Sequence, residues 1–404
     1  MFYSPTFLVM NQYKSPLRLV GVIALALAIF TAMPLISRAQ TSSITISPQD
    51  TTQHSLSKLV KGLVANGIEI VDIKSNCTVK SGALGAFDDP GRTLGIRRGI
   101  ILSTGSVAKV NAPNKEENYT SHDVTGISRR TETGYSAMPV DPGDEDLSKE
   151  INYKTYDART VELTFIPKAD TFYYRYVFAS EEYDEYVCSK YNDVFAFYLS
   201  EKGGPKRNIA LTPNQKEAIC INTVNAGNED KESCPPQNSY LYKSNEGGKQ
   251  ILFDGFTQVL DVREKVEPGK TYVLKIAIAD ASDENLDSAV FLENNSISSY
   301  YQSFEIRYAT NEYEASSKRE LRRMVNTLKK HPNSKIEMVG HCDNVGTEEE
   351  NMALSQKRVE WLKNHLVAQG IPASRIVATW QGEQMPRYEA LDKNRRVEVF
   401  ITGF

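Results

Sequence analysis

From about residue 44 to residue 298, hydrophobic and polar positions alternate with period two. Val161, Leu163 and Phe165 interleave with Thr160, Glu162 and Thr164, while Tyr272, Leu274, Ile276 and Ile278 interleave with Val273, Lys275, Ala277 and Ala279. Successive side chains of an extended chain point to opposite sides, so the pattern predicts strands that each bury one face. Apolar clusters at Gly99-Ile100-Ile101-Leu102 and Val194-Phe195-Ala196-Phe197-Tyr198-Leu199 are bounded by turn-forming stretches such as Asp141-Pro142-Gly143-Asp144. Residues 44–298 are therefore expected to form an all-β sandwich with one short helix near Ser55 to Asn66.

After about residue 300 the period changes to that of a helix. Leu321, Met324, Val325 and Leu328 fall at i, i+3, i+4 and i+7, a stripe that His331-Pro332 should stop. Ile336 to Val339 reads as a strand. Leu354, Val359, Leu362 and Leu366 make a second helical stripe, ended by Gly370 and Pro372, and Arg375 to Thr379 and Arg396 to Ile401 read as two further strands. Residues 303–404 thus form an α/β unit in the order β-α-β-α-β-β, and the chain is multidomain.

The N-terminus bears on location. Lys14 and Arg18 precede an apolar run from Leu19 to Met33, followed by Pro34 and the small-x-small end Ser37-Arg38-Ala39. This is the form of a secretory signal, residues 1–39, cleaved after Ala39. A retained membrane helix is the rival reading, since about 20 apolar residues span a bilayer; Pro34 and the cleavage-like end favour the signal. No Cys stands at the junction to carry a lipid. The segment between the signal and the α/β unit lacks the strand series of a membrane barrel, which argues against a pore. With 404 residues, 24% of them charged, and a net charge of -4, the chain has no basic field suited to nucleic acid.

Of the five cysteines, Cys77, Cys188, Cys220 and Cys234 precede residue 240 and Cys342 follows. With no CxxC pair and no Cys/His spacing, zinc is not indicated, and two disulfides among the first four are expected in an oxidising compartment. Three pairings are open. Cys220 with Cys234 and Cys77 with Cys188 is the preferred one, leaving Cys342 as a buried thiol.

Arg358 breaks the second helical stripe, lying between Leu354 at i-4 and Leu362 at i+4. A guanidinium at the edge of a packed face needs an anion. Asp343 at the end of the preceding strand and Asn351 on the same helix face are the nearest candidates to surround it. A carboxylate, a carboxamide and a guanidinium suit a zwitterion, with Asp343 holding an ammonium and Arg358 a carboxylate. An internal Asp343-Arg358 salt bridge that binds nothing is the simpler reading from spacing alone.

Four ordered segments carry a resemblance: Gly340-His341-Cys342-Asp343-Asn344-Val345-Gly346; Asn351-Met352-Ala353-Leu354-Ser355 with Arg358; Gly370-Ile371-Pro372-Ala373-Ser374-Arg375-Ile376; and Asn394-Arg395-Arg396-Val397-Glu398. Residues 303–404 resemble the OmpA-like peptidoglycan-binding family. The resemblance implies that Asp343 and Arg358 grip the diaminopimelate of a peptidoglycan peptide stem. It further implies that Asn351 and Leu354 shape the pocket, that Arg395 lies near it, and that Thr310 and Asn311 form its rim. Departures from the family are Cys342 in place of Thr, Ala309 in place of a common Asp, Trp380 in place of Gly, and a shortened stretch from Pro386 to Asn394.

The β-rich segment offers less chemistry. Acidic groups at Glu181, Glu182, Asp184-Glu185, Asp193, Asp280 and Asp283 to Asp287 could ligate Ca²⁺ through oxygens, but no spacing resembles an EF-hand, and solvated loops are the plainer reading. No metal or cofactor is assigned. Glu181 or Glu182 with Asp193 could be built into a glycosidase pair, and the Phe172 to Phe178 aromatic strand could stack on sugars; core packing is the simpler reading of that strand. Gly99 to Gly105, Tyr176 to Tyr183, Asn192 to Leu199, and Ile278-Ala279-Asp280 followed by Asp287 to Phe291 resemble, in order, the choice-of-anchor L family of exported bacterial domains. The resemblance implies a surface module carried on a C-terminal anchor and supplies no catalytic residue. Together these readings give a non-enzymatic envelope protein, in the periplasm or at the outer membrane, held by the peptide stem and free to meet other envelope proteins or glycans. A Ca²⁺-dependent or lectin-like binder and, behind it, a glycan hydrolase are the alternatives.

Overall fold

The computed structural model describes residues 44–402 except 66, 111–129, 132–133, 136–141, 214–216, 247 and 284. The signal segment and Asp141 lie outside the described residues. Two antiparallel sheets form the first layer pair. In one, Thr45–Pro48, Leu84–Asp88, Arg98–Ser103, Ser288–Glu293, Thr171–Ser180, Gly255–Thr257 and Tyr242–Ser244 lie side by side, and Leu260–Lys265 and Ser298–Tyr300 also pair with Thr171–Ser180. In the other, the order is Arg207–Asn208, Val194–Glu201, Tyr272–Ala281, Thr155–Pro167 and Ile68–Ser75, with Ile219–Cys220 also on Val194–Glu201. The expected short helix is Leu56–Leu63.

The period-two pattern produces this packing directly. Val161, Leu163, Phe165, Leu274 and Ile276 enter the space between the sheets, where Phe165 stacks on Phe172 at 5.2 Å and Tyr174 meets Phe197 edge-on at 4.9 Å. Burying such rings contributes about 1.5–3 kcal/mol each. The pattern fails at Ala277 and Ala279, which are buried although they face outward, because Glu145–Ile151 forms a helix that lays Leu147 over them. Asp144 caps that helix by accepting from the Asp146 and Leu147 amides. The sequence pattern did not predict this helix.

The C-terminal sheet runs Gln302–Arg307, Arg396–Thr402, Lys335–His341, Ile376–Trp380, with only the last pair parallel. The helices Lys318–Lys330 and Glu348–Ala368 bury Leu321, Met324, Val325, Leu328, Val359, Leu362 and Leu366 against it. Leu354 stays half-buried, off the core stripe, while Asn351, Ser355 and Arg358 are buried. Thr347 and Glu350 close a reciprocal cap at 3.2 and 3.0 Å, fixing where the second helix begins. Gly340 lets that helix approach: a Cβ there would stand 2.4 Å from the Ser355 carbonyl oxygen. No helix among the described residues is long and apolar enough to cross a membrane.

The C-terminal sheet also packs on the sandwich. Phe400 sits 5.0 Å from Tyr173 and 4.9 Å from Tyr300, with Arg263 over both the Tyr173 and Phe400 rings. Buried Glu398 meets Arg263 at 2.5 Å, Arg396 at 2.9 Å and Arg387 at 3.5 Å. Burial alone would raise the Glu398 carboxyl, but Arg263 and Arg396 hold it well below the usual range. The Phe172 to Phe178 strand is therefore covered on both faces, and its rings are closed to sugars.

The cysteines correct the expectation of two disulfides. Cys188 pairs with Cys234, so neither preferred pair, Cys220 with Cys234 or Cys77 with Cys188, forms, and Cys77, Cys220 and Cys342 are buried thiols. Cys77 follows Ile68–Ser75 at one edge of its sheet, whereas Cys220 lies in Ile219–Cys220, beyond Val194–Glu201 and four strands away. At roughly 4.8 Å per strand that separation exceeds the roughly 7 Å Cα limit of a disulfide.

Candidate functional site

Asp343 follows the Lys335–His341 strand, and Arg358 projects toward that strand's end from the third turn of the Glu348–Ala368 helix. Arg358 is 0% exposed. Its Nε donates to the Glu312 carbonyl at 2.9 Å, Nη1 to the His341 carbonyl at 2.9 Å and to the Cys342 sulfur at 3.1 Å, and Nη2 to the Ala309 carbonyl at 3.3 Å. The Tyr308 ring lies 5.2 Å from the guanidinium carbon. Burial pulls the guanidinium below its ordinary value, while Cys342, Tyr308 and Asp343 act in the other direction.

This arrangement revises both readings of Arg358. Its charge is met by carbonyl dipoles, a sulfur and a ring face, with no carboxylate in contact among the described residues. The internal Asp343-Arg358 salt bridge does not form, because Asp343 Oδ2 is taken by Arg395 Nη1 at 2.7 Å. Arg395 also donates to the Tyr308 carbonyl at 3.3 Å. Asn351 donates to Glu383 at 2.5 Å, and Thr310 and Asn311 are exposed beside Ala309. Asp343, Arg395, Arg358, Asn351 and the Thr310-Asn311 rim thus converge at one end of the C-terminal sheet.

The departures from the family pattern find places here. Ala309 contributes only its carbonyl, and Cys342 accepts from Arg358 while its thiol donates to the Asn351 carbonyl at 3.2 Å. Burial pushes that thiol up to about 11, so it stays protonated and inert. Trp380 offers its carbonyl to Arg92 of the sandwich at 3.1 Å, and Arg92 also reaches Gln381 at 3.0 Å. Glu383 and Arg92 were not foreseen: Arg92 lies 288 residues from Trp380, and no local pattern marks either residue. Neighbouring His341 is buried with neither ring nitrogen bonded; burial first, then Arg396, depresses it well below its usual value, so it is neutral.

Of the acidic groups of the sandwich, Glu185 is exposed and Asp184 and Asp283 are half-buried, but Glu181, Glu182, Asp193 and Asp280 are not solvated. Glu181 and Glu182 are each 2% exposed, and Asp193 and Asp280 each 1%. No glycan could reach a Glu181/Asp193 or Glu182/Asp193 pair so enclosed. Among the described residues, no three His, Cys, Asp or Glu side chains are gathered to hold a metal ion by themselves.

Fold and site together define a two-domain class, a β-sandwich carried on an α/β OmpA family domain. The chain belongs to the choice-of-anchor L family, whose model matches residues 45–298, and the OmpA family model matches residues 308–399. It is 36% identical over 94 residues to the peptidoglycan-associated lipoprotein of Agrobacterium fabrum, covering 22% of this chain and 53% of that protein. To outer membrane porin F of Pseudomonas fluorescens it is 31% identical over 87 residues, 20% of this chain and 27% of that one. The chain thus spans about half or less of these relatives. The solved peptidoglycan-associated lipoprotein from Burkholderia pseudomallei is 28% identical, with 24% of this chain and 89% of that chain covered and a TM-score of 0.23.

Proposed function

We propose that this is an exported, non-enzymatic envelope protein, in the periplasm or at the outer membrane, whose C-terminal domain (303–404) binds the peptide stem of peptidoglycan and whose sandwich (44–298) is a binding or assembly module. Residues 1–39 are the export signal in this reading. The observation that carries it is the Asp343-Arg395 pair beside the Arg358 cage in an OmpA family domain. Asp343 spends one carboxylate oxygen on Arg395 and leaves Oδ1 outside that ion pair for a ligand ammonium. Arg358 is enclosed, so in this reading the diaminopimelate carboxylate reaches it by displacing the Ala309 carbonyl, the longest bond of the cage at 3.3 Å. The names of the relatives, a peptidoglycan-associated lipoprotein among them, support the same reading.

The test is co-sedimentation of the mature chain (Gln40 to Phe404) with purified sacculi, beside its Asp343→Asn variant. Binding by the parent and its loss in the variant is expected. Failure of the folded parent to sediment with sacculi overturns the reading.

A further inference from the structure

Carboxylates accumulate at one end of the sandwich. Glu181 and Glu182 follow the Thr171–Ser180 strand, Asp193 and Asp287 precede Val194–Glu201 and Ser288–Glu293, and Asp280 ends its run in Tyr272–Ala281. The strand registers bring these termini together: Ser180 pairs with Ser288 and Ala279 with Val194. The Glu181 amide donates to the Asp287 carbonyl at 3.1 Å, and Asp193 accepts from the Ala281 amide at 2.9 Å and the Ser288 hydroxyl at 2.7 Å. Both sheets therefore contribute to one acidic cluster.

The anomaly is burial without neutralisation. Both carboxylate oxygens of Glu181 are buried without a hydrogen-bond partner, as is one oxygen each of Glu182 and Asp280. No ion pair neutralises any of the three among the described residues. A buried carboxylate so placed costs several kcal/mol, and only a proton, a cationic side chain or a metal ion can relieve it. Neither Glu181 oxygen accepts a hydrogen bond, and a cation can meet both oxygens where a proton meets one. Burial and then Asp287 push that carboxyl well above the usual range.

The structure assigns this end of the sandwich a hard divalent cation, Ca²⁺, held by Glu181 and Asp287 with neutral oxygens of the neighbouring loops and water. No three carboxylates close on one point, so a carboxylate pair must be completed by neutral donors. Ca²⁺ accepts such sets, taking six to eight oxygens in flexible geometry, whereas Mg²⁺ demands a near-ideal octahedron. The cluster contains neither His nor Cys, which removes the donors that softer metals favour. The Cys188-Cys234 disulfide and the Tyr183 hydroxyl, bonded to the Val224 carbonyl at 2.8 Å, pin the loop between Glu182 and Asp193 and pre-organise the cluster.

The experiment is a thermal melt of the mature chain after EGTA treatment, with CaCl₂ or MgCl₂ added back, beside Glu181→Gln. Wild type should gain several degrees in about 2 mM CaCl₂ and much less in MgCl₂. Glu181→Gln should melt no lower than wild type in EGTA, because it removes an unpaired buried acid, and should gain nothing from CaCl₂. A wild-type midpoint indifferent to CaCl₂, or a variant that responds as wild type does, overturns the assignment. Sacculus binding is read separately, since the cation cluster and the Asp343 site lie in different domains.

Discussion

Asp343→Asn and Arg358→Ala should separate ligand recognition from structural support, although the sequence makes them look like equal halves of a clamp. Arg358 is enclosed, and its removal strands the carbonyls of Ala309, Glu312 and His341. The stranded buried His341 carbonyl costs about 1–3 kcal/mol, the part-buried Ala309 and Glu312 carbonyls less because water reaches them, and the emptied volume adds to this, so a net loss of about 2–4 kcal/mol is expected. Asp343 loses one partly exposed ion pair with Arg395, about 1 kcal/mol, and Asn keeps the volume. For binding, loss of a charge-assisted contact worth about 1.5–3 kcal/mol weakens affinity by roughly 10- to 150-fold. Urea denaturation and sacculus co-sedimentation, run on both variants, give the two readouts. Asp343→Asn should fold almost as stably as the parent and fail to sediment, whereas Arg358→Ala should lose stability as well as binding. An Asp343→Asn chain that sediments normally refutes the clamp, and an Arg358→Ala chain of parental stability refutes the account of the cage.

Three further outcomes follow from the fold. Thiol titration of the denatured, unreduced chain should find three free thiols, where two disulfides would leave one, and Cys188→Ser should cost about 4 kcal/mol for a crosslink with a sequence separation of 46. Glu398→Gln leaves Arg263, Arg387 and Arg396 without their shared carboxylate, and calorimetry should show the single melting transition broaden or split as the two domains uncouple. In EGTA the melting midpoint should fall between pH 7 and 8.5. Burial raises Asp193 to about 7 and Glu182 to about 10, so the folded state holds protons that the unfolded state releases near pH 4, and stability is lost as pH rises through the folded values. Depressed His341 acts in the opposite sense, but only below about pH 6.5, so a midpoint that rises across this window would count against the buried acids.

Much of the architecture was legible because burial follows periodicity. The Val161-Leu163-Phe165 alternation and the Leu321 to Leu328 stripe became core faces as read. The Glu145–Ile151 helix escaped notice because its apolar content is little more than Leu147 and Ile151, too short a stripe to register against the strands around it. At the site, the residue types were legible and their partners were not. Sequence spacing places Asp343 and Arg358 near each other, but Arg395 arrives from just before the Arg396–Thr402 strand and takes the carboxylate. The disulfide was misread for the same reason, since which strands separate two cysteines is a property of sheet order, not of spacing.

Contacts with the sandwich also reach the turn from Trp380 to Gln384 in the C-terminal domain. The turn before Pro386 packs on the sandwich. Met385 joins an apolar cluster with Val259, Phe253 and Phe291, the Val259 amide donates to the Gln384 carbonyl at 3.1 Å, and Gln384 returns a bond to the Arg92 carbonyl at 3.2 Å. The same turn carries Gly382, whose carbonyl accepts from the Cys342 amide at 2.7 Å, and Glu383, which holds Asn351. A continuous line of contacts therefore runs from Arg92 through the Trp380 to Gln384 turn to the neighbours of Asp343 and Arg358. Trp380 and Cys342 both lie on the line of contacts by which the sandwich reaches the surroundings of Asp343 and Arg358.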